Sequence, residues 1–293
     1  MEYKSLAQLA ELAKERKEPV WKVVLKDDAT ERQVTEEETF ETMRGMYRAM
    51  KEADAAYDGN LKSQSGLAGG DGAKFSAFVK SGKTMFGPFL ADVITKAIKM
   101  GESNACMRRV VAAPTAGSCG ILPAVFISYE EHRGASEDRM VEALLVCAGV
   151  GAVIAENASI AGAQGGCQAE IGTASAMAAA GLTYLDGGDD EAIMQAAALA
   201  LKNMLGLTCD PVAGLVEVPC IKRNASGAVN AVTSSQIALS GIRSAIPPDE
   251  VIDSMRRIGN LLPSCLKETS EEGLATTETG MTIKKRMSGM SEV

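Results

Sequence analysis

The stretch "ALLVCAGVGAVIA", residues 143–155, decides the fold class. It is apolar on nearly every face. A helix of that kind must be surrounded by other helices, so we predict that it runs through the middle of a bundle. It is shorter than the ~20 residues that span a bilayer, and we therefore expect no membrane segment. Residues 168–182 are equally apolar, and their many Ala and Gly residues predict close contacts between helices.

Around this centre the pattern predicts further helices rather than strands. Aromatic residues make up only 4% of the chain, while Ala, Gly and Met are plentiful, which favours packed helices over sheets. Ser5 can cap a first helix, and Thr35 with Glu38 forms the capping box of a second. Further helical windows are 88–101, 120–133, 137–156, 168–182, 189–205, 226–241 and 248–259. The sequence therefore predicts a mainly α fold.

The amount and distribution of charge suggest the domain organisation of the chain and its cellular compartment. Residues 1–57 are the more charged and amphipathic part, so we expect an N-terminal helical segment packed on a main domain of residues 58–293. The net charge of -8 argues against a nucleic-acid surface. The basic cluster at residues 284–286 is interpreted as a solvated tail. The charged N-terminus lacks the apolar core of a secretion signal, so we expect a cytoplasmic protein.

The chain has seven cysteines, an odd number that argues for reduced thiols rather than a disulfide framework. Cys147 lies in an apolar run and is predicted to be inert core. Cys106 and Cys265 lie near helix ends and are predicted to be structural, whereas Cys119, in a glycine-rich loop, is ambiguous. Three others lie in Gly- or Pro-containing loops: Cys167, Cys209 and Cys220. No CxxC pair is present, so core filling and metal binding both remain open for these three.

The remaining polar motifs are open to more than one interpretation. The stretch "KSQSGLAGGDG", residues 62–72, lacks the order of a phosphate-binding loop. It predicts either a nest of N–H groups that holds a carboxylate with Ser63 and Ser65, or a capped helix start. His132, the only histidine, is interpreted as a solvent-facing residue at a helix end. No lysine has the setting expected for pyridoxal phosphate.

Four motifs at these loops carry a resemblance to a known family: "SQSGLAGGDG", "APTAGSCGILPAV", "NASIAGAQGGCQAEIG" and "NMLGLTCDPVAGLVEVPCIKRN". Over nearly its whole length the chain resembles the α chain of the two-chain, iron-sulfur-dependent bacterial L-serine dehydratases. The resemblance implies that residues 58–293 are a helical catalytic domain whose Gly-rich loops surround a [4Fe-4S] cluster. It implies Cys167, Cys209 and Cys220 as the cluster ligands, one iron left open as a Lewis acid for the serine hydroxyl, and no pyridoxal phosphate.

The resemblance also implies a reaction and a partner. L-serine would be dehydrated and deaminated to pyruvate and ammonia, and a β chain is expected to complete the pocket because the general base stays unassigned. Cys119 is given no ligand role. Two alternatives remain: a non-catalytic iron-sulfur subunit, and a related hydro-lyase for threonine or another hydroxy acid. The residues implied at the substrate pocket are Ser63, Ser65, Gly66, Thr115, Asn157, Lys222 and Arg223.

Overall fold

The computed structural model of the protein describes residues 1–290, apart from the side chain of Met290. These residues form thirteen α-helices and no β-strand, which confirms the mainly α prediction. The helices are α1 Leu6–Arg16, α2 Val20–Arg32, α3 Glu36–Ala55, α4 Asp71–Lys80, α5 Pro88–Ala105, α6 Ile121–Arg133, α7 Glu137–Asn157, α8 Gly162–Gly165, α9 Thr173–Leu185, α10 Asp190–Lys202, α11 Cys220–Leu239, α12 Pro248–Leu261 and α13 Glu278–Met290. One π-helical turn, Gln168–Gly172, leads directly into α9.

The centre of the bundle consists of α7 and α9, as their all-round apolar character predicts. They pack on each other, and α9 also packs on α6, α10 and α11. Almost every residue of α9 is buried. By length and composition α7 could cross a membrane, but 67% of its most apolar window is buried inside the protein. That burial is typical of a core helix.

Gly181 shows how closely the central helices approach one another. A methyl group at this position would lie 2.6 Å from Cys147 Sγ and 2.7 Å from Phe126 Cζ. We expect Gly181→Ala to lower the free energy of unfolding by about 2 kcal/mol, because overpacking forces neighbours to shift. Gly45→Ala in α3, where the new methyl meets nothing within 4 Å, should raise it by about 0.5–1 kcal/mol. Urea unfolding measures the free energy of unfolding of both variants, and equal changes in the two would contradict the prediction.

The N-terminal helices share the main hydrophobic core. Tyr3, Leu9 and Val24 belong to the same buried cluster as the residues of α7, and both α2 and α3 pack on α7. The predicted capping box of α3 is present: Thr35 Oγ1 accepts from the Glu38 amide, and the Glu38 carboxylate accepts from the Thr35 amide. The sequence did not predict α2, whose short amphipathic pattern follows Pro19.

Some helix boundaries differ from those predicted, for reasons of packing. Helix α5 runs through Gly101 to Ala105, because Gly101 sits against the backbone of Ile221 and belongs to a helix contact rather than a helix end. Helix α11 begins at Cys220 instead of residue 226, so the cations that follow Cys220 lie in its first turn. Helix α4 follows the Gly-rich stretch, where a capped helix start was one of the two interpretations left open.

Residues 284–286 are exposed, as predicted, but they form part of α13 rather than a free tail. Arg286 Nη2 donates a hydrogen bond of 2.9 Å to the Ser65 carbonyl. His132 lies exposed in the last turn of α6, as predicted, and its ring also contacts Phe89 edge-on.

Candidate active site

The fold brings together the three loop cysteines. Cys167 directly precedes the π-helical turn, Cys209 lies between α10 and α11, and Cys220 is the first residue of α11. All three are buried. A hydrogen bond with Cys209 is the main cause that lowers the pKa of Cys167, and the same contact raises the pKa of Cys209. Burial raises the pKa of Cys220 to about 12, and the charge of Cys167 adds to the effect.

The other buried cysteines lie in apolar surroundings. Cys147 is in the core, as predicted, and donates to the Met177 carbonyl at 3.0 Å. Cys119 is fully buried against Ala53 and Met100, and burial raises its pKa to about 12.

Long-range hydrogen bonds hold the two loops that carry Cys167 and Cys209. Gln168 is fully buried: its backbone amide donates to the Leu207 carbonyl and its side-chain oxygen accepts from the Gly206 amide. From the other side, the Cys209 amide donates to Leu266 and the Cys209 carbonyl accepts from Glu268. Both cysteines are therefore held by backbone partners distant in the sequence.

An ion pair between the partly buried Arg223 and the buried Asp210 supplies positive charge beside the thiols. Arg223 donates to the Thr208 carbonyl at 2.7 Å and to Asp210 Oδ1 at 3.0 Å. Asp210 also accepts from the Leu274 amide at 3.0 Å. Burial alone would lower the pKa of Arg223, but the nearby charges of Cys167 and Asp210 raise it overall. The guanidinium can therefore offset negative charge on the thiols.

Glu170 and two glycines border the same region. Burial raises the pKa of Glu170, and a hydrogen bond from Thr115 opposes that shift. A methyl group at Gly162 would lie 2.9 Å from Glu170 Oε2 and 3.2 Å from Cys209 Sγ, and one at Gly117 would lie 3.3 Å from Glu170 Oε1. The glycines thus leave room around the carboxyl and the thiol. Sequence reasoning missed Glu170, which lies three residues after Cys167 in "CQAEIG".

Ser63 and Ser65 bind a carboxylate of the protein itself. Their buried hydroxyls donate to Glu217 Oε2 at 2.9 and 2.6 Å and also accept from the amides of Ala68 and Leu67. Glu217 is itself buried and lies between Cys209 and Cys220 in the sequence. It therefore joins the serine loop to the cysteine loop. Sequence reasoning missed it too.

The N–H groups of the Gly-rich stretch bind Glu102. This carboxylate, only 1% exposed, accepts from the amides of Gly69, Asp71 and Gly72 and from the Tyr57 hydroxyl. The arrangement caps the start of α4. Both interpretations left open for this stretch describe part of the structure, because its N–H groups hold the Glu102 carboxylate at the capped start of α4 and its serines hold the Glu217 carboxylate.

The remaining predicted residues lie in separate places. Lys222 is exposed and pairs with Asp71 at 2.7 Å, and Gly66 is an exposed glycine with a φ of 76°. Asn157 is exposed and donates to the carbonyls of Lys4 and Val153. The fold thus brings Thr115 and Arg223 to the three cysteines, places Ser63, Ser65 and Lys222 beside the start of α4, and leaves Asn157 at the N-terminal segment.

We expect Glu217→Ala to lower the free energy of unfolding by about 2 kcal/mol, because it leaves two buried serine hydroxyls without their acceptor. Glu217→Gln keeps an acceptor oxygen and should cost about half as much. Chemical denaturation of both variants measures the difference. Glu272→Ala, which removes an exposed acid, is the control. A loss of unfolding free energy in Glu217→Ala no larger than in this control would refute the prediction that the serine hydrogen bonds to Glu217 stabilise the fold.

The donor set can be compared with the chemistry of an iron-sulfur cluster. Such clusters are held by cysteine thiolates. Among the described side chains no group of three His, Cys, Asp or Glu residues is arranged to hold one metal ion. Three buried thiols with a partly buried guanidinium beside them are donors of the chemical type that such a cluster needs.

Comparison with known proteins identifies the family. Residues 15–275 match the model described as "Serine dehydratase alpha chain". The chain is 43% identical to the "Probable L-serine dehydratase, alpha chain" of Bacillus subtilis (strain 168), a match that covers 98% of this chain and 96% of that protein. It is 38% identical to the "L-serine dehydratase, alpha chain" of Peptoniphilus asaccharolyticus, over 95% of this chain and 96% of that protein.

A further match is to a relative without the alpha-chain name. The "L-serine dehydratase TdcG" of Escherichia coli (strain K12) is 46% identical over 61% of this chain and only 40% of its own length. The family model and the alpha-chain relatives together cover most of the sequence that builds the fold and the cysteine site. The chain belongs to the serine dehydratase alpha chain family.

Proposed function

We propose that this chain, together with a β chain, dehydrates and deaminates L-serine to pyruvate and ammonia in the cytoplasm, and that it uses a [4Fe-4S] cluster and no pyridoxal phosphate. The observation that carries the proposal is the convergence of three loop thiols beside Arg223 and Glu170. Membership of the family supports the reaction, since the relatives are named L-serine dehydratases.

Cys167, Cys209 and Cys220 would hold the cluster, which when bound supplies an iron that acts as a Lewis acid toward the serine hydroxyl. Arg223, already hydrogen bonded to Asp210, places its cation beside Cys167 and offsets the negative charge of the ligands. The Leu274 amide donates to the same carboxylate and helps to hold the pair in place.

Glu170 is the candidate for handling a proton in this pocket. Burial raises its pKa, which favours the protonated form of the carboxyl, and in that form an Oε atom donates its proton to the departing hydroxyl group. Thr115 hydrogen bonds to the same carboxyl and orients it. Gly117 and Gly162 keep the space beside it free of side-chain atoms.

The base that removes the Cα proton is proposed to come from the β chain. Two relatives are named alpha chains, and this chain matches only 40% of the length of the E. coli protein, which leaves room there for a second unit. A heteromer with the active site at its interface would account for both facts.

Anaerobic reconstitution of the chain with iron and sulfide, followed by a pyruvate assay with L-serine, tests the proposal. We expect pyruvate to form when the β chain is present and to be lost after exposure to air. L-threonine in place of L-serine tests the substrate, and the α chain alone tests the need for the partner. A complex that carries its cluster and still releases no pyruvate would overturn the proposed reaction.

A further inference from the structure

A second cleft lies beside the cysteine loops and has no part in the proposed reaction. It occupies about 310 Å³ between α8, α12 and the turn at residues 264–267. Gln168, which follows Cys167, forms part of its wall, and Lys267, whose backbone is bridged to Cys209, forms another part. None of the three cysteines lines it. It is therefore next to the candidate active site and distinct from it.

The charges that line this cleft are all positive. They come from Arg256 and Lys267, and no Asp or Glu of residues 1–290 lines the space. Arg256 is paired with Asp253 at 2.6 Å. Lys267 forms no ion pair within the part of the chain that the structure describes. In a protein with a net charge of -8, this leaves a cleft that favours one negative charge.

The uncharged lining residues suit a short organic acid. Asn260 and Gln164 contribute side-chain amides, and the Gln164 oxygen is already occupied by the Ser159 hydroxyl at 2.9 Å, which leaves its NH₂ group as a donor. Ala158 and Met255 contribute apolar surface. One cation and the amide donors can bind a carboxylate, and the apolar wall can contact a short carbon chain.

Gln168 connects this cleft to the candidate active site. Its side-chain nitrogen donates to the Met255 carbonyl at 3.0 Å and its oxygen accepts from the Gly206 amide, so it cannot turn toward a ligand without breaking buried hydrogen bonds. A molecule in the cleft would touch this wall together with α12 and Lys267. It would therefore join the segments that hold Cys167 and Cys209.

We propose that this cleft is a binding site for a small carboxylate of the size of pyruvate, held by Lys267. Binding joins α12, α8 and the turn at residues 264–267, so it stabilises the folded chain in proportion to ligand concentration. The site needs neither the cluster nor the reaction, and its failure is therefore distinguishable from failure of the proposed function.

Calorimetric titration of the full-length, cluster-free chain with pyruvate under reducing conditions tests the site. We expect saturable binding to the wild type and, in Lys267→Met, a loss of affinity of about tenfold or more, because a charge-assisted hydrogen bond is removed. Lys267→Arg should restore most of the affinity. Pyruvamide, the neutral analogue of the same shape, should bind about tenfold more weakly than pyruvate.

Lys83→Met, a change at an exposed lysine outside the cleft, is the matched control and should bind pyruvate like the wild type. Thermal melting without ligand checks that all variants fold equally well. The proposal is overturned if the wild type does not bind pyruvate, if Lys267→Met binds it unchanged, or if pyruvamide binds as tightly.

Discussion

Cys209→Ser is expected to abolish the iron-sulfur cluster and to reduce pyruvate formation by about 100-fold or more. The serine hydroxyl is nearly the same size as the thiol, so the buried site should still fold. It stays protonated at neutral pH, however, and a hydroxyl is a poor substitute for a thiolate on iron. Iron and sulfide analysis per chain, with a pyruvate assay in the presence of the β chain, measures both effects.

The matched control for this substitution is Cys119→Ser. Cys119 is at least as buried as Cys209, but its thiol faces the Met100 carbonyl at 3.8 Å and an apolar cluster. We expect it to lose some stability and to keep full iron content. Cys167→Ser and Cys220→Ser should behave like Cys209→Ser. Full iron content in any of these three would remove that residue from the ligand set, and iron loss in Cys119→Ser would add a fourth thiol.

The second large effect is expected for Arg223→Met, which should lower the free energy of unfolding by about 3 kcal/mol. The substitution leaves the Asp210 carboxylate buried with the Leu274 amide as its remaining partner, and it removes the donor to the Thr208 carbonyl. A buried charge without its partner costs more than the pair itself contributes. Urea unfolding of the full-length chain measures the loss.

Two further variants make the Arg223 prediction specific. Lys222→Met changes the adjacent cation, whose ion pair with Asp71 is exposed, so its cost should stay below about 1 kcal/mol. The double variant Arg223→Met with Asp210→Asn removes the buried charge as well and should be more stable than Arg223→Met alone. Equal losses at positions 222 and 223 would show that burial of the pair does not decide its energy.

Local patterns account for most of the helices. The capping box at Thr35 and the apolar run at residues 143–155 were sufficient to predict α3 and α7, because caps and periodicity act within a few turns. The start of α4 was left open for a different reason. Its cap is Glu102, which is close in space and distant in the sequence. The end of α5 was misplaced because Gly101 packs on Ile221.

The residues of the candidate site likewise divide into those that local sequence patterns reveal and those that only the fold reveals. Cysteines in loops rich in Gly and Pro are visible as a pattern, and the family resemblance gave them a common role. Their carboxylate neighbours are not visible, because Glu170, Asp210 and Glu217 acquire their importance from burial and from partners far along the chain. Ser63 and Ser65 were recognised, but their binding to Glu217 depends on the fold.

The sequence by itself determined the helical class, the central place of α7 and α9, and the three cysteines that lie in Gly- or Pro-containing loops. These properties depend on residue type and on spacing over a few turns. Only the tertiary structure decided that Cys167 and Cys209 touch, that Arg223 is their neighbouring cation, and that Lys267, in a separate cleft, pairs with no acidic side chain of residues 1–290. Such relations depend on distances across the fold, which residue type and local spacing do not specify.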